Sequence, residues 1–128
     1  MNLDTLLNAY IEETGFPVTV AELKETLKLF PIIYNRDLIG IFGYQSSSRD
    51  KLGRIAIITL LYVLPSQRKN IRWIVQYITT YLLSCGYRHC EVWASKRISR
   101  YFTHRYNSSP ELFVHFFKLE DIVNHEYK

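Results

Sequence analysis

One stretch limits what this chain can fold into: Arg54 to Gly86, RIAIITLLYVLPSQRKNIRWIVQYITTYLLSCG. Ile55 to Leu64 form a nearly continuous apolar run, and Pro65 stops it. A polar, cationic turn follows, Ser66-Gln67-Arg68-Lys69-Asn70. Ile71, Ile74, Val75, Ile78 and Leu82 then recur at helical spacing, with Arg72, Gln76, Thr79 and Thr80 on the other side. The pattern predicts a strand covered on both faces, a tight basic turn and an amphipathic helix lying back on the sheet. A strand-to-helix turn aims backbone N–H groups and a positive dipole end at one spot, which suits an anion. It equally suits a plain connection with solvated cations.

At 128 residues the chain has room for one core, so a single domain over 1–128 is expected. Its 48% hydrophobic residues against 22% charged exclude a disordered chain. Ten Tyr suit either an aromatic core or a contact surface. Asp4, Asn8, Glu12 and Glu13 interrupt the first apolar residues, so no signal peptide or secretion is expected. The longest apolar run is half a membrane span, so no membrane partner is expected. Cys85 and Cys90 read as a reduced intracellular pair. Charge is unevenly placed. Residues 1–30 hold Asp4, Glu12, Glu13, Glu22 and Glu25 against Lys24 and Lys28. Residues 68–105 hold Arg68, Lys69, Arg72, Arg88, Lys96, Arg97, Arg100 and Arg105 against Glu91 alone. A basic centre suits an anionic ligand, an acidic protein, nucleic acid or an ordinary solvated face.

Along the chain, Asn2 to Thr14 reads as a helix stopped by Gly15, and Thr19 to Glu22 as a capping box. Val20, Leu23, Leu27 and Phe30 extend that box into a second helix ended by Pro31, giving a helix pair over 1–30. The sheet core, with two helices, is expected over 31–119. Ile32 to Tyr34 and Leu38 to Tyr44 form a hairpin about Asn35-Arg36-Asp37. Gln45 to Gly53 is expected as an exposed loop. After the central strand and helix come a strand from His89 to Ala94, parallel to the central one, a helix over Lys96 to Tyr106 capped by Ser95, and a last strand from Leu112 to Leu119. Residues 120–128 are expected to be a frayed tail.

That order resembles the GCN5-related N-acetyltransferase (GNAT) family, an acyl-CoA-binding fold, over nearly everything from Leu3 to Leu119. Asn35 to Gly40 is similar to the family's second hairpin, Leu61 to Arg68 to its central strand entering the pyrophosphate loop, and Ser95 to Phe102 to its last helix. The resemblance implies an α+β fold: a mixed sheet of about five to six strands flanked by about four helices. It implies an acyl-CoA loop over Leu61, Val63, Arg68, Lys69, Asn70, Ile71 and Arg72. In the family that loop reads Arg/Gln-x-x-Gly-x-Gly/Ala, and its glycines seat pyrophosphate on bare N–H groups. Here Arg68 matches, but Ile71 and Trp73 stand where the glycines belong. No acid lies between Arg54 and Val63 to serve as the family's general base. The family's proton-donating Tyr aligns with Phe102, leaving Tyr101 and Tyr106 as weak substitutes.

The resemblance therefore implies a vestigial site with no catalytic residue and no cofactor expected. The function implied is a structural or protein-interaction module, by analogy a small phage-encoded protein, cytoplasmic or virion-associated. The alternative is an active N-acetyltransferase using acetyl-CoA through a divergent loop. A third reading is nucleic-acid or acidic-partner binding through residues 68–105. Trp73, Lys96, Arg97, Arg100 and Arg105 are the candidate contacts for a protein partner, for self-association or for nucleic acid. Ile71 is expected to pack, and Trp73 to cover the cleft or touch a partner. His89, His104, His115 and His125 show no paired ligand spacing, so no metal is expected.

Overall fold

The computed structural model describes residues 2–49, 51–93 and 114–126. Helix α1 spans Leu3–Thr14. It starts where the Asn2 side chain accepts the Thr5 N–H at 2.9 Å. It stops where Gly15, at φ 67°, turns its own N–H onto the Ile11 carbonyl. Helix α2 spans Val20–Thr26 and is capped by Thr19, whose hydroxyl accepts the Glu22 N–H at 3.1 Å.

The second helix is shorter than its apolar spacing predicts. Leu27 is already extended, and strand β1 runs Lys28–Tyr34, so Phe30 and Pro31 belong to the sheet. Pro31 is tolerated because β1 is the edge strand of the described sheet, where a missing donor on the outer side breaks no described ladder. The hairpin to β2, Asp37–Arg49, turns on Asn35 and Arg36, both left-handed at φ 50° and 69°. That conformation matches the twist of the flanking strands. Gln45 to Arg49 are strand, not loop: Ser46 pairs with Ala56 and Arg49 with Gly53, extending the antiparallel ladder into β3, Gly53–Val63. Ser-rich composition hid this because the pairing is main chain to main chain.

A 3-10 helix over Pro65–Asn70 runs directly into α3, Ile71–Ser84. Strand β4, His89–Trp93, lies parallel to β3, and β5, Val114–Lys118, lies antiparallel to β4. The expected tail is instead helix α4, Leu119–Glu126, which buries Leu119 and Ile122. The expected helix over Lys96 to Tyr106 lies outside the described residues. The described sheet thus has five strands in the order β1-β2-β3-β4-β5, as the α+β expectation requires. Among the described residues no helix is long and apolar enough to cross a membrane.

Each face of the sheet carries its own core. Ile74, Val75, Ile78 and Leu82 of α3 and Ile122 of α4 pack on one face against Phe42, Tyr44, Ala56 and Ile58. Leu6 and Leu7 of α1 and Leu23 of α2 cover the other, against Ile41, Leu60 and Tyr62. Burial of each such side chain contributes about 1.5–3 kcal/mol. Ala56 and Ile58 face α3, whereas Leu60 and Tyr62 face α1, so the alternation of β3 slips by one. The register shows why: Ile58 pairs with Tyr44 and Leu60 with Gly43, which leaves Thr59 unmatched. A bulge of this kind re-aims side chains and ends pairing. Within the described residues the parallel β3–β4 ladder runs from Ile55 opposite His89 to Ile58 opposite Val92.

Candidate functional site

The end of β3 and the turn after it carry the residues singled out from the sequence. Leu61 is half-buried against the α3 core, and Val63 is buried within it. Arg68 does not point away from the protein. Its Nε donates to the Val63 carbonyl at 3.0 Å, and its Nη2 donates to both Glu13 carboxylate oxygens at 2.9 and 2.8 Å. Its guanidinium carbon lies 5.6 Å from the centre of the Tyr62 ring. The Arg68 hydrogen bond holds the Glu13 carboxyl below its ordinary pKa, and the Tyr62 hydroxyl adds to that. Burial first, and then Glu13, push the Tyr62 phenol up. The arrangement is a closed unit of anion, cation and ring, joining the last turn of α1 to the start of the β3–α3 turn.

The turn itself is wound tight. Gln67 donates its N–H to the Leu64 carbonyl at 2.8 Å, and the Asn70 amide donates to Gln67 Oε1 at 2.9 Å. A 3-10 turn directs its N–H groups at carbonyls three residues back, so few are left to face a ligand. Ile71 packs against the α3-side core. Trp73 leans toward β1: it meets Tyr34 edge-on at 4.8 Å and stacks on Tyr77 at 5.0 Å. Lys69 and Arg72 are exposed. The Arg68 guanidinium is thus committed to Glu13 and Val63, and side chains stand at positions 71 and 73. Tyr101, Tyr106, Lys96, Arg97, Arg100 and Arg105 lie outside the described residues.

Other chemistry-bearing groups are occupied. Glu91, on β4, has both oxygens 3.4 Å from Arg49 Nη2. Burial pushes the Cys90 thiol up to about 12, which keeps it protonated and a poor nucleophile near neutrality. Among the described residues no group of three His, Cys, Asp or Glu could hold a metal.

Sequence reasoning missed Glu13 and Tyr62 at this site. The signal available was the split of charge between an acidic first helix and a basic turn. It also missed a row made of Lys69, on the 3-10 turn, and Trp73, Tyr77 and Tyr81 of α3, which the four-residue spacing does display. With Phe30, Asn70, Arg72, Gln76, Thr80 and Ser84 this row lines an open groove of about 820 Å³. The groove follows α3 on its β1 side.

No protein-family model matches the chain, and no curated protein matches it in sequence. Solved structures do. The chain is similar to FeeM, an N-acyl amino acid synthase from uncultured soil microbes, at TM-score 0.61 and 8% identity, over 94% of this chain and 91% of that one. It is similar to AtaTR bound with acetyl-CoA at TM-score 0.56 and 13% identity, over 91% and 82%. It is also similar to AtaT complexed with acetyl-methionyl-tRNAfMet at TM-score 0.53 and 12% identity, over 94% and 87%. The fold is thus the α+β, GNAT-like one.

Proposed function

We propose that this chain is a GNAT-like domain that no longer seats acyl-CoA and works as a non-catalytic interaction module. The observation that carries this is Arg68, the one cation matching the family's phosphate loop, bound to Glu13 and to the Val63 carbonyl. A phosphate would have to displace a carboxylate already held by two charge-assisted bonds. Ile71 supports the same reading, because its packing against the core fills a position that needs a bare backbone. A protein or nucleic-acid partner suits the net charge of +4. The tRNA bound by AtaT is the parallel among similar structures. A small phage-encoded protein remains the suggested origin, by analogy.

Calorimetric titration of acetyl-CoA into the purified chain tests this. The expected result is no saturable binding tighter than about 1 mM. Saturable micromolar binding would overturn it.

A second reading, an active N-acetyltransferase with a divergent loop, is favoured by the likeness to AtaTR bound with acetyl-CoA. The same titration decides between the two readings.

A further inference from the structure

The groove along α3 is made of residues other than the Arg68 unit. Lys69, Trp73, Tyr77 and Tyr81 are four apart and share one side of the helix. Their rings are fixed in place: Trp73 stacks on Tyr77, and Phe30 of β1 stacks on Tyr81 with centres 3.7 Å apart. The Tyr77 hydroxyl donates to the Pro31 carbonyl at 3.2 Å. Trp73 still exposes 36% of its surface. A second stripe, Arg72, Gln76, Thr80 and Ser84, gives the groove a polar side.

Cations bracket the rings. Lys69 and Arg72 stand at the Trp73 end. At the other end Lys28 Nζ lies 5.9 Å from the Tyr44 ring centre, and the Tyr44 hydroxyl is 3.3 Å from that of Tyr81. Among the described lining residues there is no acid. From Ile71 to Ser84 α3 rises about 20 Å, at 1.5 Å per residue.

We propose that this groove binds single-stranded nucleic acid, with bases laid against the Trp73–Tyr77 row and phosphates on Lys69 and Lys28. Rigid rings between cations meet both parts of such a strand, because every unpaired base offers a planar face and every link a negative charge. An acidic peptide would use the cations and leave the rings idle. A duplex would keep its base faces stacked inside. The proposal rests on the reading of this chain as an interaction module and names the partner. It involves none of the Arg68 unit, so acetyl-CoA binding and strand binding succeed or fail separately.

The test is fluorescence anisotropy with a labelled fifteen-nucleotide oligo-dT, about the upper site size of one binding module. At about 50 mM salt, saturable binding is expected, with log affinity falling against log salt at a slope of roughly −1 to −2, as for two or three phosphates. Trp73→Ala and Lys69→Glu should each weaken it about ten-fold. Trp93→Ala, which removes an exposed Trp off the groove, should leave it unchanged. Lys69 is exposed, so its variant reports on binding even if Trp73→Ala fails to fold. No binding at low salt would overturn the proposal. So would binding that ignores Lys69→Glu and vanishes in Arg97→Glu with Arg100→Glu. Displacement by poly-glutamate as readily as by unlabelled oligonucleotide would overturn it in favour of an acidic protein.

Discussion

Arg68 is bonded to Glu13 across fifty-five positions of sequence, through one nitrogen that reaches both carboxylate oxygens. The contact ties the acidic first helix to the basic turn that follows the central strand. It also commits the cation a phosphate-binding loop would need.

Glu13 gives the contact a pH signature. Its pKa is lowered in the folded chain, chiefly by the Arg68 hydrogen bond. Its stabilising effect is therefore fully present above the unfolded glutamate value of about 4.3 and is lost as pH falls through the lower folded value. The thermal midpoint of Glu13→Gln should lie below that of the native chain at pH 7, and the gap should close in strong acid. An equal gap at every pH would mean the carboxylate charge plays no part.

His115 should leave a second signature. It is fully buried on β5, its ring 6.2 Å from that of Phe117, and burial lowers its pKa. The unfolded chain takes up a proton near pH 6.5 that the folded chain resists. Stability from neutral His115 is present above about pH 6.5 and falls as pH drops below it. His115→Phe should flatten the decline in thermal midpoint as pH drops below about 6.5. An unchanged slope would assign that decline to other histidines.

Two glycines of β2 should respond differently to a methyl group. A Cβ on Gly40 would sit 2.6 Å from the Tyr62 carbonyl oxygen, which is fixed main chain. A Cβ on Gly43 would meet Leu27 Cδ1 at 2.9 Å and Leu29 Cδ2 at 3.0 Å, both ends of side chains that can move. Gly40→Ala should cost about 1–3 kcal/mol or more in urea unfolding, and Gly43→Ala distinctly less. Equal costs would show that β2 and β3 shift as a unit.

Restoring glycine to the turn should not restore a ligand site. Ile71 packs on the core and Trp73 on Tyr34 and Tyr77, so the double change to Gly removes both packings and loosens the first turn of α3. A cost of about 3–5 kcal/mol is expected from helical glycine and lost burial together. Acetylation of small amines should stay undetectable, because Arg68 remains on Glu13. A stable variant that acetylates would mean the seat was only blocked.

Elements whose signal is local could be read from the order of residues alone. The apolar run into Pro65, the 3.6-residue stripe of α3, the Gly15 stop of α1 and the capping box of α2 depend on neighbours a few residues away. They placed β3, α3, both ends of α1 and the start of α2. Leu27, Phe30 and the Ser46–Ser48 segment needed the partner strand, because ladder bonds join main chains and leave no mark in side chains. Leu119 and Ile122 became a helix where the α3 face was there to cover them. The candidate site divides in the same way. Missing glycines at Ile71 and Trp73 were legible in one dimension. That Arg68 is taken by Glu13, that Thr59 is skipped in the β2–β3 register, and that Phe30 joins Tyr77 and Tyr81 in one row were decided by tertiary structure. Those contacts join residues far apart in the chain, and only the stacked layers bring them within a few ångströms.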